Sequence, residues 1–115
     1  MVLEVEHRDS VAIATLSAEA ARNAFSSESM QGISDTLNQL MDDVNVKGIV
    51  ITGTGKFFCA GADIEEFQRC IDEGRIGPLV DNLTSILHPL QVRMRTDPTV
   101  LVAAMNGAAA GGGLG

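Results

Sequence analysis

Between residues 27 and 44 the apolar positions Met30, Ile33, Leu37, Leu40, Met41 and Val44 recur at steps of three and four, which sets them on one helical face. Ser26 or Ser27 offers an N-cap hydroxyl, and the helix is expected to end near Asp43. Upstream, residues 2–6 alternate apolar and charged side chains and residues 11–16 are rich in strand formers, with the turn signal Arg8-Asp9-Ser10 between them. An opening β-hairpin is expected. Residues 48–52 form a short apolar run closed by Gly53, the pattern of a strand buried on both faces. A second helix is expected between Pro78 and Met94, with Leu79, Leu83, Ile86, Leu87, Leu90 and Met94 along one side. Pro98 then breaks the chain before residues 100–104, another expected buried strand. Strand, helix, strand, helix, strand predicts an α/β fold on a parallel sheet with right-handed crossovers. The acidic stretch 64–77, which carries Gly74 and Gly77, is expected to be the most flexible part.

Composition narrows the partners. With 115 residues, 45% of them apolar and 20% charged, the chain has room for one domain with a core. Its net charge of −7 and its four aromatic residues, all Phe, leave no basic footprint or stacking platform for nucleic acid. An anionic ligand must therefore be met by local cations and helix N-termini. No apolar run reaches the roughly 18 residues of a membrane span, and the start of the chain lacks the basic and apolar regions of a signal peptide. The chain reads as cytoplasmic, with no membrane partner. Cys59 and Cys70 stand apart without metal spacing, so reduced thiols and no metal site are expected.

The candidate chemistry lies in two loops of small residues, each placed after a strand-like run. One is Phe57-Phe58-Cys59-Ala60-Gly61-Ala62-Asp63-Ile64, the other Asn106-Gly107-Ala108-Ala109-Ala110-Gly111-Gly112-Gly113. Small residues let bare backbone N–H groups approach a ligand atom, and two such loops on neighbouring strands can clamp one oxygen. That is an oxyanion hole, with donors about 3 Å from where negative charge develops. Two other glycine patterns fail as motifs. Gly53-Thr54-Gly55-Lys56 has Val50 and Phe57 where a phosphate loop needs Gly and Ser/Thr, so it reads as a turn leaving a strand. Gly111 and Gly113 come too late in the chain for a dinucleotide fingerprint.

The two loops and the early Arg22-Asn23-Ala24-Phe25, in this order and spacing, resemble the crotonase (enoyl-CoA hydratase/isomerase) superfamily over essentially all of residues 1–115. The resemblance implies a crotonase-type spiral of ββα units, with residues 1–115 forming the N-terminal part of a single, longer domain. It implies an acyl-CoA enzyme of fatty acid metabolism, a lyase or isomerase, that holds a thioester enolate on the backbone N–H groups of Ala62 and Gly112. Coenzyme A would enter as part of the substrate, no cofactor would be permanently bound, and the full-length protein would form a homotrimer or hexamer. By position in the family motif, Arg22, Ala24, Ala60, Asp63 and Ile64 are substrate- and coenzyme A-binding residues, and Arg22, with Lys56 behind it, is the candidate cation for the phosphates.

Three side chains carry a plainer reading beside that one. Asp63 is placed as the N-cap of a helix starting at Ile64 rather than as a base, and Cys59 as a small packed residue. His88, on the second helix next to Pro89, is an ordinary helix histidine or a site residue of the kind found in the haloaryl-CoA dehalogenases of the superfamily. The chain also departs from the pattern. Hydratases of the superfamily follow the triple glycine with a small or apolar residue and a catalytic Glu, whereas here Leu114 is followed by Gly115. Isomerase-type chemistry is therefore expected, with the acid/base supplied from beyond residue 115 and residues 1–115 inactive and poorly folding alone. Hydratase or dehalogenase-like chemistry, a non-catalytic acyl-CoA-binding homologue and a nucleotide-binding oxidoreductase are the alternatives.

Overall fold

A computed structural model describes residues 2–115. Val2–Arg8 (β1) and Val11–Ser17 (β2) pair as an antiparallel hairpin, with Arg8 opposite Val11 across the loop Asp9-Ser10. Asp9 adopts φ of 54°, a left-handed conformation that an aspartate tolerates in a tight turn. The first helix, Ser27–Asp42 (α1), is closed by a reciprocal capping box: Ser26 Oγ accepts from Ser29 N–H at 3.0 Å, and Ser29 Oγ accepts from Ser26 N–H at 2.9 Å. Met30, Ile33, Leu37, Leu40 and Met41 are buried as the periodicity predicts. Val44 is not part of that stripe, because the helix has already ended and its side chain is 82% exposed.

The chain continues through Gly48–Gly53 (β3), Phe57–Cys59 (β4), Ile64–Asp72 (α2), Ile76–Thr96 (α3), Val100–Ala103 (β5) and Ala108–Ala109 (β6). Strand–strand–helix thus occurs at β1-β2-α1 and again at β3-β4-α2, with a third strand pair after α3. The main sheet has the order β1-β2-β3-β5, parallel from β2 onward. Its inward face, carrying Ala12, Ala14, Leu16 and Ile49, packs against the apolar stripes of α1 and of α3, where Leu79, Leu83 and Leu90 are buried. Arg93 fastens the two helices together, donating from Nη1 to Asn38 Oδ1 at 2.9 Å and from Nη2 to Asp42 Oδ1 at 2.6 Å.

Two expectations need correction. The strands at 48–52 and 100–104 are not buried on both faces: the helices cover one face of the sheet, and on the edge strand β5 Val100 and Val102 are 62% and 51% exposed. The apolar loop starts are themselves strands, β4 and β6, which pair in parallel as a second, two-stranded sheet. Residues 64–72 of the stretch 64–77 form α2, whose first turn is capped by Asp63 and whose Cys70 is buried in the core.

Candidate active site

The β4–β6 pairing brings the two glycine loops side by side. Cys59 C=O accepts from Ala110 N–H at 3.1 Å, so the chain leaving β4 towards Gly61 runs beside the chain leaving β6 towards Gly112. Gly61 has φ of +91°, and a Cβ there would lie 2.8 Å from Ala110 C=O. The approach of the loops therefore requires glycine on steric grounds as well as conformational ones. Gly113 is equally confined, since a Cβ on it would overlap the Cys59 carbonyl group.

A third segment locks the first loop from its other side. Ala60 N–H donates to Arg22 C=O at 3.1 Å, Phe25 N–H to Gly61 C=O at 2.6 Å, and Asp63 N–H to Phe25 C=O at 2.8 Å. This bridge uses the groups flanking Ala62 and leaves its own N–H out. Gly112 stands in the opening turn of a 3-10 segment, Gly111–Gly113, in which the first bonded donor is Gly113. Among the described residues neither the Ala62 nor the Gly112 N–H has an acceptor.

Two cavities meet at Ala62. One, of about 310 Å³, gathers Arg22, Ala24, Ala60, Asp63 and Ile64, the five positions predicted for coenzyme A, and Arg22 is the sole cation among its lining residues. The Arg22 guanidinium rests over the Phe57 ring, 5.8 Å from its centroid. Lys56 lines neither cavity. The other, of about 280 Å³, is walled by Ala62, Gly112 and His88 together with Phe25, Phe67 and Leu87. The predicted oxyanion donors and the predicted histidine therefore share one space. Asp63 is committed elsewhere: its Oδ1 accepts from Glu65 N–H at 2.9 Å and Glu66 N–H at 3.3 Å, the N-cap role expected of it. Glu66 in turn accepts from Ser27 N–H at 2.9 Å, tying the start of α2 to the start of α1.

Two asparagines that sequence reasoning passed over hold this arrangement. Asn23 is fully buried; its Oδ1 accepts from Ala18 N–H at 2.8 Å, and its Nδ2 donates to Thr54 C=O at 3.1 Å and Phe57 C=O at 2.8 Å. Asn106 reaches the same turn from β5, with Oδ1 accepting from Gly53 N–H at 3.0 Å and Nδ2 donating to Gly55 and Phe57 C=O at 3.0 and 2.9 Å. Both pin the Gly53–Phe57 turn. The available signal was an Asn beside Ala24 in one motif and beside Gly107 in the other, each next to small residues that let its side chain reach backbone.

Cys59 is packed against this junction, and burial pushes its thiol above the usual range, partly offset by a backbone hydrogen bond from Gly61. A raised pKa depletes the thiolate at neutral pH. Cys59 is expected to react with a disulfide reagent at pH 8 at least about tenfold more slowly than free cysteine, as read by thionitrobenzoate release resolved with Cys70→Ser. A rate equal to that of free cysteine would contradict the packed assignment.

The order of strands and helices and the paired glycine loops define a crotonase-type α/β protein. A family model for enoyl-CoA hydratase/isomerase matches residues 6–115. The chain is 39% identical over 95 residues to a peroxisomal bifunctional enzyme of Cavia porcellus, covering 80% of this chain and 12% of that one. It is 37% identical over 92 residues to a probable enoyl-CoA hydratase of Bacillus subtilis, covering 80% of this chain and 34% of the relative. Among solved structures, an enoyl-CoA hydratase from Bacillus anthracis matches with a TM-score of 0.84 and 28% identity, over 98% of this chain and 43% of that chain. The chain belongs to the enoyl-CoA hydratase/isomerase family and spans less than half the length of these relatives.

Proposed function

We propose that residues 1–115 form the thioester-holding part of an acyl-CoA enzyme. In this reading the thioester oxygen sits between the N–H groups of Ala62 and Gly112, the acyl group enters the 280 Å³ cavity, and coenzyme A runs along the 310 Å³ cavity with its phosphates towards Arg22. The observation that carries it is the pair of backbone N–H groups left without acceptors on two abutting loops that wall one cavity. As a proton leaves the carbon next to the thioester, charge grows on that oxygen, and fixed donors stabilise it more than they stabilise the neutral carbonyl.

Isomerase-type chemistry is the preferred reaction. Among the described residues no carboxylate lines the acyl cavity, and residue 115 at its edge is a glycine. Moving a double bond needs one base and the oxyanion donors, whereas hydration must also orient and deprotonate a water. The full-length protein should shift the double bond of a 3-enoyl-CoA, or exchange α-protons with solvent, at least about tenfold faster than it hydrates a 2-enoyl-CoA. Comparable rates would remove the isomerase preference, and absence of both would favour a non-catalytic acyl-CoA-binding homologue. A second reading, dehalogenase-like chemistry, is supported by His88, the sole titratable side chain among the residues walling that cavity. Under it, His88→Ala would abolish halide release from a haloaryl-CoA yet leave α-proton exchange of an acyl-CoA intact. Assembly as a homotrimer or hexamer belongs to the same proposal and is read by light scattering of the full-length protein.

A further inference from the structure

The wall of the acyl cavity contributed by α3 is not uniformly apolar. Thr84, His88 and Gln91, at spacings of four and three, form one stripe along the helix and all three line the cavity. The core-facing stripe of the same helix is Leu79, Leu83 and Leu90. Phe25, Phe67 and Leu87 line the same space, so the cavity is walled by apolar and hydrogen-bonding side chains together.

Within that stripe the three side chains differ in what they have left to offer, and His88 is exposed, so its imidazole keeps access to water whether or not a ligand is present. Thr84 Oγ1 donates back to Val80 C=O at 2.8 Å, which consumes its hydrogen inside the helix. Gln91 is half-buried, and among the described residues its carboxamide makes no hydrogen bond. Its position is also specific. A Cβ on Gly115 would overlap Gln91 Nε2, so the amide occupies the room that the missing side chain leaves at the end of the triple-glycine loop, beside Gly112. A plain alkyl tail filling this cavity would strip water from that amide and return nothing, whereas a tail bearing oxygen would replace the lost hydrogen bonds.

Resting on the reading that an acyl thioester binds here, we propose that the acyl group carries a hydroxyl or keto oxygen in its tail and that Gln91 is the residue that selects it. The carboxamide both donates and accepts, so it serves either oxygen type. Selection arises from the cost of leaving it unpaired when the oxygen is absent.

The test measures binding of three ligands to the full-length protein by calorimetry: hexanoyl-CoA, 4-hydroxyhexanoyl-CoA and 6-hydroxyhexanoyl-CoA. At least one hydroxylated ligand should bind about tenfold or more tighter than hexanoyl-CoA. Gln91→Met, close in length and unable to hydrogen-bond well, should bring that ratio to within about threefold while coenzyme A itself binds unchanged. Gln91→Asn, which moves the amide back on a shorter stem, should cut the preference at least about threefold, and a preference kept at full size in it overturns the inference if the methionine variant does not fold. Equal binding of all three ligands to the unmodified protein, or a preference that survives both substitutions, overturns the inference and leaves the proposed function standing. Failure of both hexanoyl-CoA and coenzyme A to bind overturns the proposed function and this inference with it.

Discussion

Gly112→Pro in the full-length protein is expected to lower turnover about 10²–10³-fold while coenzyme A still binds. Proline removes the N–H at a position where, among the described residues, that hydrogen has no acceptor, so no internal hydrogen bond is lost with it. The loss falls on whatever the N–H would meet in the cavity. Removing one donor from such a site costs about 2.7–4 kcal/mol of transition-state stabilisation. Crowding is separated from donor loss by Gly112→Ala, which keeps the N–H. The added Cβ would lie 3.2 Å from Leu87 Cδ2 and 3.6 Å from Phe25 Cε2, side-chain atoms that can give way by a few tenths of an ångström. The alanine variant should therefore retain most of the activity. Equal losses in the two variants, or turnover untouched by proline, would take the oxyanion role away from Gly112.

Asn23→Ala should lower the stability of the full-length protein by about 2–4 kcal/mol, read as a shift in the denaturant midpoint at unchanged slope. The side chain is 0% exposed and satisfies Ala18 N–H and Thr54 C=O, neither of which gains a substitute partner when it is cut back. Phe57 C=O suffers less, because Asn106 Nδ2 also donates to it at 2.9 Å. Asn23 further adopts φ of +55°, where asparagine is tolerated and alanine is strained. Activity measured well below the unfolding transition should fall too, since Arg22 and Phe25 are bonded to the Gly61 loop through the same segment. A loss below about 1 kcal/mol would mean that water replaces the amide at this junction.

The local features of this chain were open to reading because their causes are local. A serine three residues before Ser29 makes the cap of α1, steps of three and four make its buried stripe, and Asp63 caps α2 because its carboxylate faces the first-turn N–H groups. The glycines of the two loops were legible as positions where a Cβ is unwelcome, and Gly61 and Gly113 bear that out sterically. Sequence patterns could not say which faces of β3 and β5 are covered, because an apolar run reads the same whether one layer or two lies against it. Val100 and Val102 are exposed because they lie on the face of β5 opposite Leu101, the face that the helices leave uncovered, and only the packing of the layers decides that.

By itself, then, the sequence determined the hairpin, the two long helices, the caps and the small-residue loops, all set by interactions spanning a few residues. Only the tertiary structure decided that β4 pairs with β6, that Asn23 and Asn106 converge on the Phe57 carbonyl from positions 83 residues apart in the chain, and that His88 and Gln91 share a cavity with Ala62 and Gly112. These are long-range pairings. They depend on the parallel register of β2, β3 and β5, which is settled by burying the whole apolar face at once and leaves no signature in any short window of residues.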